Sequence, residues 1–399
     1  MLLSLLIRGG FATARPNGLK TDPDGYRQIA MQLREHGSYQ RRDAVTNETF
    51  PTAYRPPLYP LVLSIVSPAP QAILLLHVLL ASVTAICIYR IGALLQLGKL
   101  VWVAIIGMLL DPILLNQSAL PMTETIAAAL SVAVWLAFIR WWQQRNWRNA
   151  LLLGVALGLA VLCRPTFAIW SVILLAAAVK TNRSGLATAI AFALVLCPWA
   201  IRNQQVFGKP IFLTTHGGYT FLLGNNDEFY NHFYMKGGPS VWNAKKFHQQ
   251  WKDKLATIEP SDELGRDKLA YETAAVVIAR RPEGFRLSCT GKLLRFWRLA
   301  PTRRTESEGT RTTLMRYAIG FWYAVILGAA ACTLIWKRRE LQWEIWLPAI
   351  LLCLTFSVIH TFYWSDMRMR GPIMPSIYLL IAFGLYKLQC KDRSPASDS

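Results

Sequence analysis

Behind its first apolar segment the chain runs LKTDPDGYRQIAMQLREHG, residues 19–37, which sets two carboxylates, Asp22 and Asp24, beside a phenol, Tyr26. A carboxylate there can take a proton from a hydroxyl or cap a helix. In TAYRPPLYPLVLSIV, residues 52–66, Arg55 precedes two prolines and Tyr59 follows them. A guanidinium in that place can bind a phosphate in bidentate fashion or snorkel to lipid headgroups. Glu124 heads an apolar run behind Pro121 and Thr123; it can serve the helix dipole, yet an ionisable group at the edge of a span is a functional candidate. Arg164 in CRPT, Arg202 in PWAIRNQQVFG, and Asp366, Arg368 and Arg370 in YWSDMRMRGPIMP stand at the ends of other runs. Bases and arginines gathered on one side suit a substrate that is half lipid and half phosphate. The DPD triplet also has the D-x-D form that holds a metal and a diphosphate, but no strand–helix alternation or glycine-rich phosphate loop surrounds it, so the match is accidental. Asp111, in an Asp-Pro turn, reads as structural; His77 and His360 read as interhelical hydrogen-bonding groups, and Arg90 as a snorkelling side chain.

Such residues need elements to hold them. The chain has 399 residues, 53% hydrophobic and only 17% charged, with 15 tryptophans and a formal charge of +20. That composition indicates an all-α polytopic membrane protein. Apolar runs at 1–14, 70–95, 100–116, 121–142, 149–163, 165–180, 185–201, 316–336, 343–364 and 372–389 give about ten spans. With the N-terminus inside, Lys99, Arg140, Arg145, Arg148, Lys180, Arg183, Lys337 to Arg339 and the tail after Lys391 all fall on the cytoplasmic side. Residues 15–57, 111–121, 202–315 and 364–371 then lie outside. The expected divisions are an N-terminal transmembrane catalytic module over 1–201 with a first outer loop at 15–69, an extracytoplasmic basic region of mixed structure over 202–315, C-terminal helices over 316–390 and a cytoplasmic tail at 391–399. The first segment, MLLSLLIRGGFATA, is short and broken by Arg8. It is either a tilted, incomplete span or a sign that the true start lies upstream, and it lacks the features of a signal peptide. Seven scattered cysteines support neither a disulfide framework nor a zinc site.

Within the outer segments, Asp22 is the expected N-cap of a short amphipathic helix, with Pro23 at its first position, Tyr26, Ile29, Ala30 and Leu33 as its apolar stripe and Gly37 as its stop. Arg55 should precede a re-entrant or interfacial helix. In EGFRLSCTGKLLRFWRLAP, Phe285, Cys289, Leu293, Phe296 and Ala300 form a stripe among Arg286, Lys292, Arg295 and Arg298, as in a basic helix on a membrane surface. HGGYTFLLGNN, residues 216–226, reads as a turn followed by a strand or loop that borders a site, its glycines needed for the turn. The outer placement excludes nucleic acid as a partner.

In order along nearly the whole chain, DPDGY, YRPPLYP, MTE, PWAIRN, THGGYTFLLGNN and RMRGPIMP resemble the GT-C membrane glycosyltransferases, specifically the bacterial relatives of protein O-mannosyltransferases and of the aminoarabinose lipid A transferase. The resemblance implies an inverting transfer of a sugar from a polyprenyl-phosphate donor to an acceptor hydroxyl, on the outer face of a bacterial inner membrane. It carries the general base onto Asp22, the donor-phosphate contact onto Arg55, the second-loop acid onto Glu124 and the late arginine pair onto Arg368 and Arg370. Asp24, Tyr26, Tyr59 and Arg202 are the further substrate contacts expected. A divalent metal bridging carboxylates and phosphate is left open, as is the acceptor, which can be protein, lipid or glycan. The chain departs from many protein mannosyltransferases in having Asp22 followed by Pro23 rather than by an acid. A transporter or flippase would use the same arginines without a base, but would place them near the membrane midplane. A ligase of lipid-linked glycans would take a larger donor.

Overall fold

A computed structural model describes residues 1–15, 17–42, 47–234, 242, 244–303 and 307–392. Most of the expected tail, 393–399, lies outside the described residues. Every apolar run is helical: α1 (Leu2–Thr13) is followed, after α2 (Tyr26–His36) and α3 (Leu58–Val66), by α4 (Pro70–Leu94), α5 (Val101–Leu110), α6 (Pro112–Ser118), α7 (Glu124–Gln143), α8 (Trp147–Cys163), α9 (Phe167–Thr181) and α10 (Gly185–Phe207). The hydrophilic stretch that follows holds α11 (Gly217–Leu223), α12 (Asp227–Tyr234), α13 (Lys245–Leu255), α14 (Glu263–Arg280) and α15 (Pro282–Phe296), and α16 (Thr310–Lys337), α17 (Trp343–Phe362) and α18 (Met374–Asp392) close the chain. An antiparallel hairpin, β1 (Gln40–Arg42) with β2 (Thr49–Pro51), adds a two-stranded element between α2 and α3, with Arg41 opposite Phe50.

The expected ten spans reduce on length. Among the described residues six helices are long and apolar enough to cross a membrane, or seven if α5 and α6, bent by 50° at Asp111–Pro112, count as one span. Helices α1, α8 and α9, of 12, 17 and 15 residues, fall short of the roughly 20 that a bilayer core requires. α1 nevertheless packs into the bundle, with the Ser4 hydroxyl donating to the Val78 carbonyl and Arg8 Nη1 to the Leu114 carbonyl at 3.1 Å. The arginine that interrupts the apolar run thus buries its head against α6.

α7 is central and belongs to both large apolar clusters, one with α8, α9 and α10, the other with α4, α5 and α18. Two glycines four residues apart, Gly154 and Gly158, let α8 approach α10 closely: a Cβ at Gly154 would meet the Thr188 carbonyl, and one at Gly158 the Val195 side chain. Elsewhere the helices turn large apolar side chains outward, such as Phe321 and Trp336 on α16 and Leu194 on α10. Without a lipid solvent these would be contiguous exposed patches, so the chain is an integral membrane protein.

Two readings of the hydrophilic stretch 202–315 change. Residues 216–226 form a helix, α11, and its glycines serve packing more than a turn. A Cβ at Gly218 would run into the Asp267 carbonyl oxygen, and one at Gly217 into the Tyr271 hydroxyl, so both glycines let α11 lie against α14. The buried side of α15 is Gly284, Ser288, Gly291, Lys292 and Phe296, while Leu287, Leu293 and Leu294 are exposed. The charged-looking Lys292 faces inward because three acceptors wait there: the Gly224 carbonyl at 3.2 Å, Asn225 Oδ1 at 2.9 Å and the Phe362 carbonyl at 2.9 Å. Burial pushes its pKa down to about 8. Among the described residues of 202–315 the regular structure is helical, not mixed.

Candidate active site

Four elements bring charge to one end of the bundle. α7 begins at Glu124, α8 ends at Cys163 so that Arg164 follows it, a 3-10 helix over Met367–Ile373 carries Arg368, and the turn before α2 carries Asp24. The loop arginines Arg140, Arg145 and Arg148 sit at the opposite ends of α7 and α8, and Lys387 at the far end of α18. Acid–arginine pairs and loop cations are therefore segregated along the same helices.

The pairs form an alternating chain. Asp24 Oδ1 lies 3.0 Å from Arg55 Nη2, and Arg55 Nε also donates to the Asp24 carbonyl at 2.7 Å. Asp24 Oδ2 is 3.8 Å from Arg368 Nη1, which is 3.4 Å from Glu124 Oε1, which is 3.8 Å from Arg164 Nη1. Three guanidiniums and two carboxylates leave one positive charge over. Glu124 is fully buried, and its Oε2 has no hydrogen-bond partner; neither has Arg164 Nη1, although Arg164 Nη2 donates to Met369 Sδ at 3.2 Å. Buried polar capacity left unspent is costly, and here an acceptor and a donor are left over in the same group.

Tyr26 is buried beneath the Arg55 guanidinium, 5.4 Å from its ring centroid, and meets Tyr59 edge-on at 5.5 Å. The Tyr59 hydroxyl is 2.9 Å from His77 Nε2, while His77 Nδ1 is 2.8 Å from the Ser118 carbonyl. A carbonyl only accepts, so Nδ1 carries the proton and Nε2 accepts from Tyr59. The expected interhelical role of His77 is the one found, and Tyr59 is tied up in it.

The helix behind Asp22 begins later than the sequence predicts. Gly25 at φ 75° cannot continue a helix backwards, so α2 starts at Tyr26 and Pro23 sits in a turn. Asp22 still caps it, Oδ1 accepting the Arg27 N–H at 3.2 Å and Oδ2 the Gln28 N–H at 2.8 Å. Both oxygens are engaged, not one as a simple N-cap would require. Burial pushes its carboxyl above the usual aspartate range, against the two N–H bonds and Arg27, with the charge of Asp24 adding to the rise. No arginine pairs with it directly. Gly37 ends the helix as expected, at φ 65° with its N–H on the Leu33 carbonyl.

Two expected contacts lie elsewhere. Arg370 is fully buried and donates to the carbonyls of Phe296 at 3.2 Å and Arg298 at 2.7 Å, its guanidinium 4.3 Å over the Tyr323 ring. A 3-10 helix advances about 120° per residue, so side chains two apart diverge; Arg368 takes the site and Arg370 the interior. Arg202 gives Nη1 to the Thr52 carbonyl at 2.8 Å and Nη2 to the Tyr39 carbonyl at 2.7 Å, holding the first outer loop. Asp111 is structural, as read. It accepts the Leu114 N–H at 2.9 Å and the hydroxyls of Tyr323 at 3.0 Å and Tyr378 at 2.8 Å. Asp366 caps the 3-10 helix through the Arg368 N–H. Among the described residues no three His, Cys, Asp or Glu side chains gather as a metal site needs.

The membrane-helical fold agrees with what is found by comparison. Residues 55–201, from Arg55 into α10, match the family described as dolichyl-phosphate-mannose-protein mannosyltransferase. The matched stretch includes Glu124 and Arg164 but not Asp22, Asp24 or Arg368. A comparison with curated proteins gives no match. The family match bears out the resemblance to GT-C membrane glycosyltransferases that the ordered motifs carry.

Proposed function

We propose that this chain, a glycosyltransferase of the GT-C type, moves a monosaccharide from a polyprenyl-phosphate donor to an acceptor hydroxyl, with inversion, at the outer face of a bacterial inner membrane. The observation that carries this reading is the alternating chain Arg55–Asp24–Arg368–Glu124–Arg164, which has one positive charge more than it has negative ones. A sugar-phosphate-lipid diester carries one negative charge, which matches that excess. A lipid-phosphate leaving group needs charge stabilisation more than a proton, and arginine supplies it as the glycosidic bond breaks. Asp24 and Glu124 hold the guanidiniums in place; the unused N–H of Arg164 and the unused oxygen of Glu124 are the groups free to read donor and acceptor.

Asp22 acts as the base. Its carboxyl is held by two backbone N–H groups instead of an arginine, and burial makes it more basic than an ordinary aspartate. The acceptor hydroxyl gives it a proton, the acceptor oxygen attacks the anomeric carbon from the face opposite the phosphate, and the lipid phosphate leaves against the arginines. Tyr26 braces Arg55 through its ring.

The test is transfer in reconstituted membranes from labelled polyprenyl-phosphate monosaccharides, with products sorted into lipid, protein and polysaccharide. Asp22→Asn should insert normally and lower kcat by about 10² to 10⁴, the usual range for a lost general base. Full turnover by that variant removes Asp22 from the role, and transfer only from lipid-diphosphate oligosaccharides points to a ligase instead.

A further inference from the structure

Glu263 opens α14, about two hundred residues along the chain from the first outer loop, yet it is only 4% exposed and belongs to that loop's structure. Its Oε1 accepts the Ala53 N–H at 2.7 Å and the Thr215 hydroxyl, its Oε2 accepts the Thr52 hydroxyl at 2.7 Å, and Arg41 Nε stands 3.7 Å away. Thr52 and Ala53 are the residues just ahead of Tyr54 and Arg55. The segment 52–55 belongs to no helix or strand, and its polar groups are held from elsewhere. Arg202 of α10 donates to the Thr52 carbonyl at 2.8 Å, the Thr215 N–H to the Ala53 carbonyl at 3.1 Å, the Thr52 N–H to the Tyr39 carbonyl at 3.2 Å, and the Tyr39 hydroxyl to the Arg55 carbonyl at 3.0 Å. The Thr52 hydroxyl is used twice, since it also accepts the Tyr54 N–H at 3.0 Å.

A buried carboxylate adds little net stability, because desolvation offsets most of the attraction it gains; what it does give is fixed geometry. The geometry fixed here is that of Arg55. Its guanidinium is 5.1 Å over the Tyr54 ring, and that ring also meets the His216 ring at 4.1 Å, next to Thr215. The oxygens of Glu263 therefore set the chain path two and three residues before Arg55, and the same contacts seat the ring on which Arg55 rests.

We infer that Glu263 is a positioning residue for Arg55: the carboxylate at the head of α14, opposed by Arg202, fixes residues 52–55 so that the Arg55 guanidinium meets the donor phosphate ready-aligned. This rests on the reading of Arg55 as a donor-phosphate contact. It gives the outer helical layer, which carries none of the ion chain, a direct part in how tightly the donor is held.

The experiment is a double-mutant cycle on the full-length protein in lipid vesicles, measuring donor KM and kcat for wild type, Glu263→Gln, Arg55→Ala and the double variant. Glu263→Gln should raise donor KM about tenfold, the cost of one lost charge-assisted hydrogen bond, and should change kcat by much less. On the Arg55→Ala background it should change donor KM hardly at all. Equal effects of Glu263→Gln on both backgrounds overturn the proposal while leaving Arg55 in its role; an unchanged donor KM in Arg55→Ala overturns the reading of Arg55 itself and the inference with it. Should Glu263→Gln fail to insert, Thr215→Val removes one of the donors to the carboxylate and enters the same cycle, with the same two outcomes.

Discussion

Asp111 and Glu124 are both fully buried carboxylates at helix starts near one end of the bundle, thirteen residues apart, and they are built in opposite ways. Asp111 takes three hydrogen bonds of 2.8 to 3.0 Å from a backbone N–H and two tyrosine hydroxyls. Glu124 meets guanidiniums only at 3.4 and 3.8 Å through one oxygen, and its other oxygen has no partner. A carboxylate whose lone pairs are filled by fixed donors is a joint between helices. One whose capacity is left open among arginines lowers stability, and under the proposed function that open oxygen is the group that meets substrate. The contrast follows the division that the sequence suggests, in which Asp111 reads as structural and Glu124 as a functional candidate.

The sharpest way to break that contrast is to make the same isosteric change at both positions. Glu124→Gln should lower transfer by about 10² to 10³, the cost of losing one electrostatic group at a reacting centre, while the protein remains folded and its unfolding midpoint moves little. Asp111→Asn should do the reverse. Two tyrosine hydroxyls and an N–H would face an amide that offers one acceptor oxygen, so stability should fall by about 1–3 kcal/mol and turnover per folded molecule should stay near wild type. Detergent-solubilised thermal unfolding and vesicle transfer assays read the two effects separately. An Asp111→Asn variant that loses turnover at unchanged stability would erase the distinction.

The arginines extend the comparison with a smaller effect. Arg164→Lys keeps the charge but removes the planar fork, so donor KM should rise about tenfold as a directed hydrogen bond is lost. Arg370→Lys, outside the ion chain and tied by Nη1 to two carbonyls, should leave donor KM alone and lower the unfolding midpoint, because a lysine cannot reach two carbonyls and also cover the Tyr323 ring. A donor KM raised equally in both variants would return Arg370 to the substrate, where its neighbour Arg368 lies.

What the sequence makes legible follows from the range of the forces involved. The ten apolar runs are readable because burial in lipid needs only local composition, and all ten are helices; their status as full spans is not, because α1, α8 and α9 are short and α5 breaks at Asp111–Pro112. Glu124, Arg55 and Arg368 stand out at run boundaries, and they do meet. The choice between Arg368 and Arg370 depends on the 3-10 twist of a seven-residue segment, which no spacing rule reveals. The buried face of α15 differs from the predicted stripe because a stripe of apolar residues is a good guide only when the facing surface is apolar; here it offers three oxygens to Lys292. Glu263 carries no local signal at all. The hydrogen-bond partners of its side chain are 48 to 211 residues away, and it reads as one more acid in a hydrophilic stretch. The G-x-x-x-G spacing of Gly154 and Gly158 was available as a signal for the α8–α10 contact.

Asp22 stands between the two carboxylates compared above, with both oxygens engaged as those of Asp111 are, yet beside the ion chain to which Glu124 belongs, and its titration gives the finest test. A base must be deprotonated, so kcat/KM should rise with pH through the Asp22 pKa and then level off. Burial raises that pKa and the charge on Asp24 adds to the rise, so the acid limb should lie above the range of an ordinary aspartate. Asp24→Asn removes the nearby negative charge and leaves Arg55 without its carboxylate partner; both changes favour the ionised form of Asp22. The acid limb should therefore move to lower pH, whatever happens to the height of the plateau. The shift should shrink in high salt. A limb that stays in place, or moves up, would mean that the titrating base is not Asp22, and the open carboxylate of Glu124 would then take its place in the reaction.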